Sequence, residues 1–286
     1  MKVIDIIRSK PYSLSFEIFP PKSSDRFESV WQAAEKIAAL DPSFMSVTYG
    51  AAGGTKEFTK DIAVSLQERL HVTALEHLTC VNATRAGMHE YLCGLRDAGI
   101  ENIMALRGDM PEGMESPAEY RHADELISEI RAFGGFCIGG AAYPEGHPQA
   151  PDAQTDIRYL KQKVDCGLDF LTTQMFFDNN ILYNFMYRIR EAGISVPVVA
   201  GIMPVTSAKQ IKRICAISGT ALPQRFVRIV DTFGSDPTAM TQAGIAFATE
   251  QIIDLYANGI RAVHVYSMNN PQVARKIKEN LAEILK

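Results

Sequence analysis

The sequence predicts a (β/α)8 barrel, a single domain over residues 1–286 with a helical insertion before the last strand. Three observations predict it. Eight short apolar or β-branched runs alternate with longer amphipathic ones, which implies parallel strands joined by crossover helices. The turn from helix to strand recurs four times, as Ala98-Gly99-Ile100, Cys166-Gly167-Leu168, Ala192-Gly193-Ile194 and Asn258-Gly259-Ile260, each with glycine where a left-handed helix cap requires it. The chain has 286 residues, close to the roughly 250 such a barrel uses.

The expected strands are Ser13–Phe19, Phe44–Tyr49, Val72–Thr79, Asn102–Arg107, Phe136–Tyr143, Asp169–Gln174, Pro197–Ile202 and Ala262–Tyr266. The expected helices are Glu28–Leu40, Lys56–Leu70, Thr84–Ala98, Pro117–Phe133, Thr155–Cys166, Asn180–Ala192 and Ser207–Ser218. A further helix, Thr241–Tyr256, falls in the long interval from Gly219 to Asn258 that separates strands seven and eight. An open doubly wound sheet is the rival, but strand one runs into Phe19-Pro20-Pro21-Lys22 and not into a glycine-rich dinucleotide fingerprint.

Lysine and arginine number 29 against 33 aspartates and glutamates, a net charge of −4, which argues against nucleic acid as the main partner. Five cysteines, odd in number and without a C-x-x-C pair, read as reduced thiols and not as a zinc site or disulfide framework. Charges at Lys2, Asp5 and Arg8 interrupt any signal-peptide core, and no apolar run approaches the roughly 20 residues of a membrane span. A cytoplasmic protein with no membrane partner and no metal is expected.

In such a barrel the site lies at the C-terminal ends of the strands. On strand one, Ser13, Ser15 and Glu17 share a face opposite Leu14, Phe16 and Ile18, so Glu17 is expected to point into the barrel. Desolvation there raises a carboxyl pKa and suits it to proton donation. Thr48 and Tyr49 end strand two, followed by Gly50 and Ala51; His77 sits near the end of strand three. Strand four leads into Arg107-Gly108-Asp109, opposite charges at the mouth. Strand five contains Gly139-Gly140-Ala141-Ala142 running into Tyr143, with His147 beyond; its small residues suit either a flat ring packed on that wall or a close helix contact. Asp156 and Lys163 lie seven apart on one helix face, a spacing equally suited to a solvated surface. Gln174 ends strand six and Tyr266 ends strand eight.

These segments, taken in order, resemble the 5,10-methylenetetrahydrofolate reductase family. The resemblance is carried by Ser15-Phe16-Glu17-Ile18-Phe19-Pro20-Pro21-Lys22, Ser46-Val47-Thr48-Tyr49-Gly50-Ala51, Glu76-His77-Leu78-Thr79-Cys80, Ala105-Leu106-Arg107-Gly108-Asp109, Ala142-Tyr143-Pro144-Glu145-Gly146-His147-Pro148 and Thr173-Gln174-Met175-Phe176-Phe177-Asp178, and it spans nearly the whole chain. It implies an FAD-containing barrel that reduces 5,10-methylenetetrahydrofolate to 5-methyltetrahydrofolate with NADH or NADPH and feeds methyl groups to methionine synthesis. It implies Glu17 as the acid and Asp109 as a carboxylate between flavin and folate. It places Thr48, Tyr49, Ala51, His77, Arg107, Gly108, Asp109, Tyr143, His147, Asp156 and Lys163 at FAD, and Glu17, Asp109, Gln174, Gln210 and Tyr266 at the substrate. It also implies a homo-oligomer. Asn270, Ile214 and Arg121 depart from the family pattern, standing where an arginine, an aromatic and a small residue are common. The Asn270 and Ile214 departures, with no separate nicotinamide-binding domain expected, motivate an alternative, a folate- or flavin-binding subunit that takes electrons from a partner protein. A third reading, a barrel lyase using Lys163 as a Schiff base, is disfavoured by the residue's place on a helix.

Overall fold

The computed structural model describes residues 1–21, 23–49, 56–108 and 119–286. Eight parallel strands close into a barrel in sequence order: β1 (Ser13–Ile18), β2 (Met45–Val47), β3 (Ala74–Thr79), β4 (Asn102–Leu106), β5 (Cys137–Ala142), β6 (Phe170–Thr173), β7 (Val198–Ile202) and β8 (Ala262–Val265). Each lies within its expected run, trimmed at one or both ends because pairing stops before the side-chain pattern does. Ser13↔Ala262 through Phe16↔Val265 joins β1 to β8 and completes the ring.

Eleven helices occur among the described residues: α1 (Val3–Ser9), α2 (Phe27–Ala38), α3 (Lys56–Leu70), α4 (Arg85–Asp97), α5 (Ala123–Phe133), α6 (Ala153–Asp165), α7 (Asn179–Glu191), α8 (Ala208–Ser218), α9 (Gln224–Phe233), α10 (Pro237–Ala257) and α11 (Pro271–Asn280). The glycine turns hold: Gly99, Gly167, Gly193 and Gly259 have φ of 71°, 116°, 75° and 84°, a region that penalises any Cβ. Caps set several starts. Thr84 accepts from Gly87 N, and Asp152 accepts from Thr155 N at 2.8 Å, so α6 begins two residues before Thr155. α5 begins at Ala123, later than the expected Pro117; residues 117 and 118 lie outside the described residues. The interval before β8 holds two helices, α9 as well as the expected one, because Phe226 and Val230 give α9 its own buried stripe. No described helix is long and apolar enough to cross a membrane.

Two apolar layers hold the barrel. Outward-facing strand residues such as Phe16, Ile18, Val47, Leu78 and Ile103 pack on the helices. Inside, Phe44, Leu75, Met104, Cys137, Phe170, Val199 and Ala262 form one cluster with Val3, Ile4, Ile6 and Ile7 of α1, which plugs the N-terminal end. Asn102 ties the plug down: its Oδ1 accepts from Val3 N at 2.7 Å, and its Nδ2 donates to Met1 O and Ala74 O, each at 3.1 Å. Asn102→Ala is therefore expected to destabilise the protein by about 2–3 kcal/mol, since it orphans buried backbone groups; urea unfolding at pH 7 measures it.

Candidate active site

With the bottom sealed, polar inward residues collect at the other end. Glu17, His77, Tyr143, Gln174 and Tyr266, from five different strands or strand ends, line one cavity of about 410 Å3. Met104, Met175, Met203, Ile214 and Met268 supply much of its apolar wall, and the described lining contains no lysine or arginine. Glu17 is 4% exposed, and burial alone pushes its carboxyl up to about 8. No described donor or cation offsets that cost, so Glu17 holds a proton at neutral pH.

His264, a residue that sequence reasoning passed over, lies in the same cavity. Its ring stacks on Phe44 and meets Tyr266 edge-on. Ser15 Oγ lies 2.8 Å from its Nδ1 and Ser46 Oγ 2.9 Å from its Nε2. The Ser15 hydroxyl proton goes to Val263 O at 3.1 Å, so Ser15 accepts from Nδ1–H and Ser46 donates to Nε2. Burial, with His77 nearby, drives His264 down to about 3, and burial drives His77 down to about 4. Both are neutral at pH 7. The alternation of Ala262, His264 and Tyr266 on one strand face was the available signal.

A second cavity, about 540 Å3, shares Ala141 and Tyr143 with the first and runs outward between β4, β5 and α6. Arg107, His147, Asp156 and Lys163 line it, as do Asp124 and Gln162. Lys163 is not on a solvated face: its Nζ donates to Ala141 O at 2.8 Å. Burial lowers its pKa while Asp156 and Asp124 oppose the shift. Asp156 Oδ2 accepts from His147 N at 3.3 Å, and the His147 ring sits edge-on to Tyr143 at 4.6 Å. Asp124 Oδ2 accepts from Gln162, while its buried Oδ1 has no partner.

Other expected residues fall elsewhere. Thr48, Tyr49 and Gly108 stand at the mouth but line neither of these two cavities. The Tyr49 hydroxyl bonds to Thr79, near Glu76. Gly108, at φ +86°, packs against Val81 and Thr79. Gln210 is in the first turn of α8, one turn before the cavity residue Ile214. Asp109 and Ala51 lie outside the described residues. Asn270 is spent on local structure, capping α11 through Gln272 N and Val273 N. Arg121 N donates to Glu125. The smallness of Gly139 and Gly140 is explained by neither a bound ring nor a helix: a Cβ on either would strike Phe170 of β6 or Leu168 just before it. Of that strand's small residues, Ala141 faces both cavities. Among the described residues, no three of His, Cys, Asp and Glu are grouped to hold a metal.

Comparison with known proteins agrees with this geometry. A family model described as methylenetetrahydrofolate reductase matches residues 2–282. The 5,10-methylenetetrahydrofolate reductase of Pectobacterium carotovorum subsp. carotovorum is 35% identical, over 94% of this chain and 90% of that protein. The Escherichia coli (strain K12) protein of the same name is 34% identical over the same shares. Methylenetetrahydrofolate reductase (NADH) 1 of Arabidopsis thaliana is 35% identical over 99% of this chain, which spans 51% of that longer protein. Among solved structures, an uncharacterized protein from Clostridium thermocellum that binds two copies of 5-methyl-5,6,7,8-tetrahydrofolic acid shares the fold, with a TM-score of 0.63, 12% identity and coverage of 96% of this chain and 98% of that one. On the family match and the bacterial relatives together, the chain belongs to the methylenetetrahydrofolate reductase family.

Proposed function

We propose that the barrel is one catalytic domain that reduces 5,10-methylenetetrahydrofolate to 5-methyltetrahydrofolate, with FAD as cofactor and NADH or NADPH as electron donor, supplying methyl groups for methionine synthesis. The observation that carries this reading is Glu17, a buried carboxyl without a counter-charge at the mouth of a closed barrel.

The substrate's five-membered ring opens to an iminium ion only when the departing nitrogen gains a proton. Glu17 has that proton to give at neutral pH, and as a carboxylate in a dry cavity it then favours the cation it has made. Tyr266 stays protonated because burial, Glu17 and Tyr143 all raise its pKa, so Glu17 is the group in the cavity that changes state. The buried Thr172 hydroxyl lines the same cavity without a partner, a polar group for the pterin or the ring nitrogens to satisfy. Asp109 stands as the second carboxylate on the resemblance alone.

The outer cavity fits the tail of FAD. Arg107 and Lys163 suit the pyrophosphate, the orphan Asp124 Oδ1 suits an amine or hydroxyl donor, and Ala141 leaves the passage to the inner cavity open. When bound there, FAD supplies a hydride carrier between nicotinamide and folate.

The purified protein is expected to be yellow, to bleach anaerobically with NADH or NADPH, and to regain colour on adding 5,10-methylenetetrahydrofolate. Lys163→Met, which keeps the buried stem and removes the charge, is expected to weaken FAD binding about 10- to 100-fold. A colourless protein, or a yellow one that nicotinamide leaves unbleached, overturns the reading and favours a subunit fed by a partner.

A further inference from the structure

The ladder between β6 and β7 ends early. Its register pairs are Leu171↔Val198 and Thr172↔Val199, with Leu171 N donating to Pro197 O at 2.9 Å. The next rung of a parallel pair in this register would join Gly201 N to Thr173 O. Instead, Gly201 N donates to the Thr173 hydroxyl at 2.9 Å. The Thr173 carbonyl accepts from the Tyr266 hydroxyl at 2.7 Å.

Tyr266 follows β8, so its phenol reaches past β7 to end on β6. It crosses at Gly201, where a Cβ would collide with both the Thr173 carbonyl oxygen and the Tyr266 hydroxyl. The missing side chain is therefore what lets the phenol through and lets the carbonyl turn toward it. Thr173 and Gly201 are buried, and each displaced peptide group keeps a partner. A frayed strand end would leave such groups to water; here the break is fully satisfied.

The residue after Thr173 is Gln174, whose N donates to Ala142 O at 2.7 Å. The end of β6 is thus held from both sides, by β5 through Gln174 N and by Tyr266 through Thr173 O. Gln174 lines the Glu17 cavity from that anchored position, its Oε1 accepting from Met175 N at 2.9 Å, so that its NH2 is the part of the amide left for a ligand. We propose that Tyr266 is a positioning residue: its hydroxyl, passing over Gly201, fixes the Thr173–Gln174 segment and so aims the Gln174 amide at the substrate. Its own hydroxyl proton is already committed to Thr173, which leaves the ring and not the donor for any ligand. The identity of that substrate rests on the folate reading above; the anchoring does not.

Tyr266→Phe removes the hydroxyl and little else. In the FAD-loaded protein, KM for 5,10-methylenetetrahydrofolate is expected to rise about tenfold with kcat changed by less than about threefold. Gln174→Ala is expected to give a similar rise, and Tyr266→Phe to add nothing to it in the double variant. Independently of turnover, the side-chain amide resonance of Gln174, assigned by its loss in Gln174→Ala, should shift in Tyr266→Phe. Multiplying KM effects in the double variant, or an unmoved Gln174 resonance, overturns the proposal. A protein without folate turnover whose Gln174 resonance still shifts rejects the folate reading and keeps the anchoring.

Discussion

Glu17→Gln is expected to slow folate reduction by about 100- to 10,000-fold, the usual worth of a positioned general acid. Glutamine preserves the size and the hydrogen-bonding edge of the side chain, so the loss isolates the transferable proton. No other group in the described cavity replaces it near pH 7: His77 and His264 are held down to about 4 and 3 and so lack the acidic imidazolium proton, and Tyr266 is raised well above its ordinary value. Reduction of bound FAD by nicotinamide needs no substrate protonation and should stay within about threefold of wild type. Stopped-flow traces of the two half-reactions separate these effects. In the wild type, the folate half-reaction should decline as pH rises through about 8, where Glu17 loses its proton. In the glutamine variant, the small residual rate should be flat over the same range. A variant that keeps more than about a tenth of the wild-type rate assigns the proton to another group.

The barrel was legible because two independent codes agree. Apolar runs mark the strands, and glycine marks the turns where φ must be positive. Glu17 was legible for the same reason, since alternation along β1 fixes its direction once Leu14, Phe16 and Ile18 are placed on the helices. The seven-residue α1 was not, because its apolar residues at 3, 4, 6 and 7 gain meaning only from the open barrel end they fill. His264 was hidden in a run of apolar neighbours; its neutral state depends on burial and on His77, and its tautomer on Ser15 and Ser46, all far away in sequence. Gly139 and Gly140 left their neighbour open for a related reason. A small residue announces that something comes close, but only the fold says that Phe170 and Leu168 are what arrives. Lys163 could be read either as surface or as ligand until α6 was set against β5. Local pattern therefore gave direction, while partners had to come from packing.

Raising the pH from 6.5 to 8 is expected to destabilise the ligand-free protein by about 2 kcal/mol. Two buried carboxyls cause it. Burial pushes Glu17 up to about 8, and pushes Glu76 up to about 7 against the opposing hydrogen bond from Tyr91 and the charge of Lys60. Their ordinary value is 4.5, so above it the unfolded chain has released protons that the native protein still holds, and stability falls as pH climbs to each native value. His77 and His264 act in the opposite direction. With native values near 4 and 3 and an ordinary value of 6.5, they stay neutral in the native protein but are half charged in the unfolded chain at pH 6.5, so from 6.5 to 8 the two together offset roughly a third of the carboxyl effect. The carboxyls therefore dominate the interval from 6.5 to 8, with Glu17 supplying about two-thirds of their effect. Urea unfolding at the two pH values should show Glu17→Gln losing nearly all of the wild-type difference, since Glu76 and the two histidines almost cancel over this interval. Glu76→Leu combined with Tyr91→Phe, which removes the carboxyl together with the hydroxyl that would lose its acceptor, should lose about half of it. Equal stability at both pH values in the wild type would mean that water or a counter-charge reaches Glu17, and with that the reason for its holding a proton at pH 7 would be gone. The cavity that makes Glu17 a proton donor and the alkaline weakness of the fold are one property, because both arise from keeping a carboxyl dry.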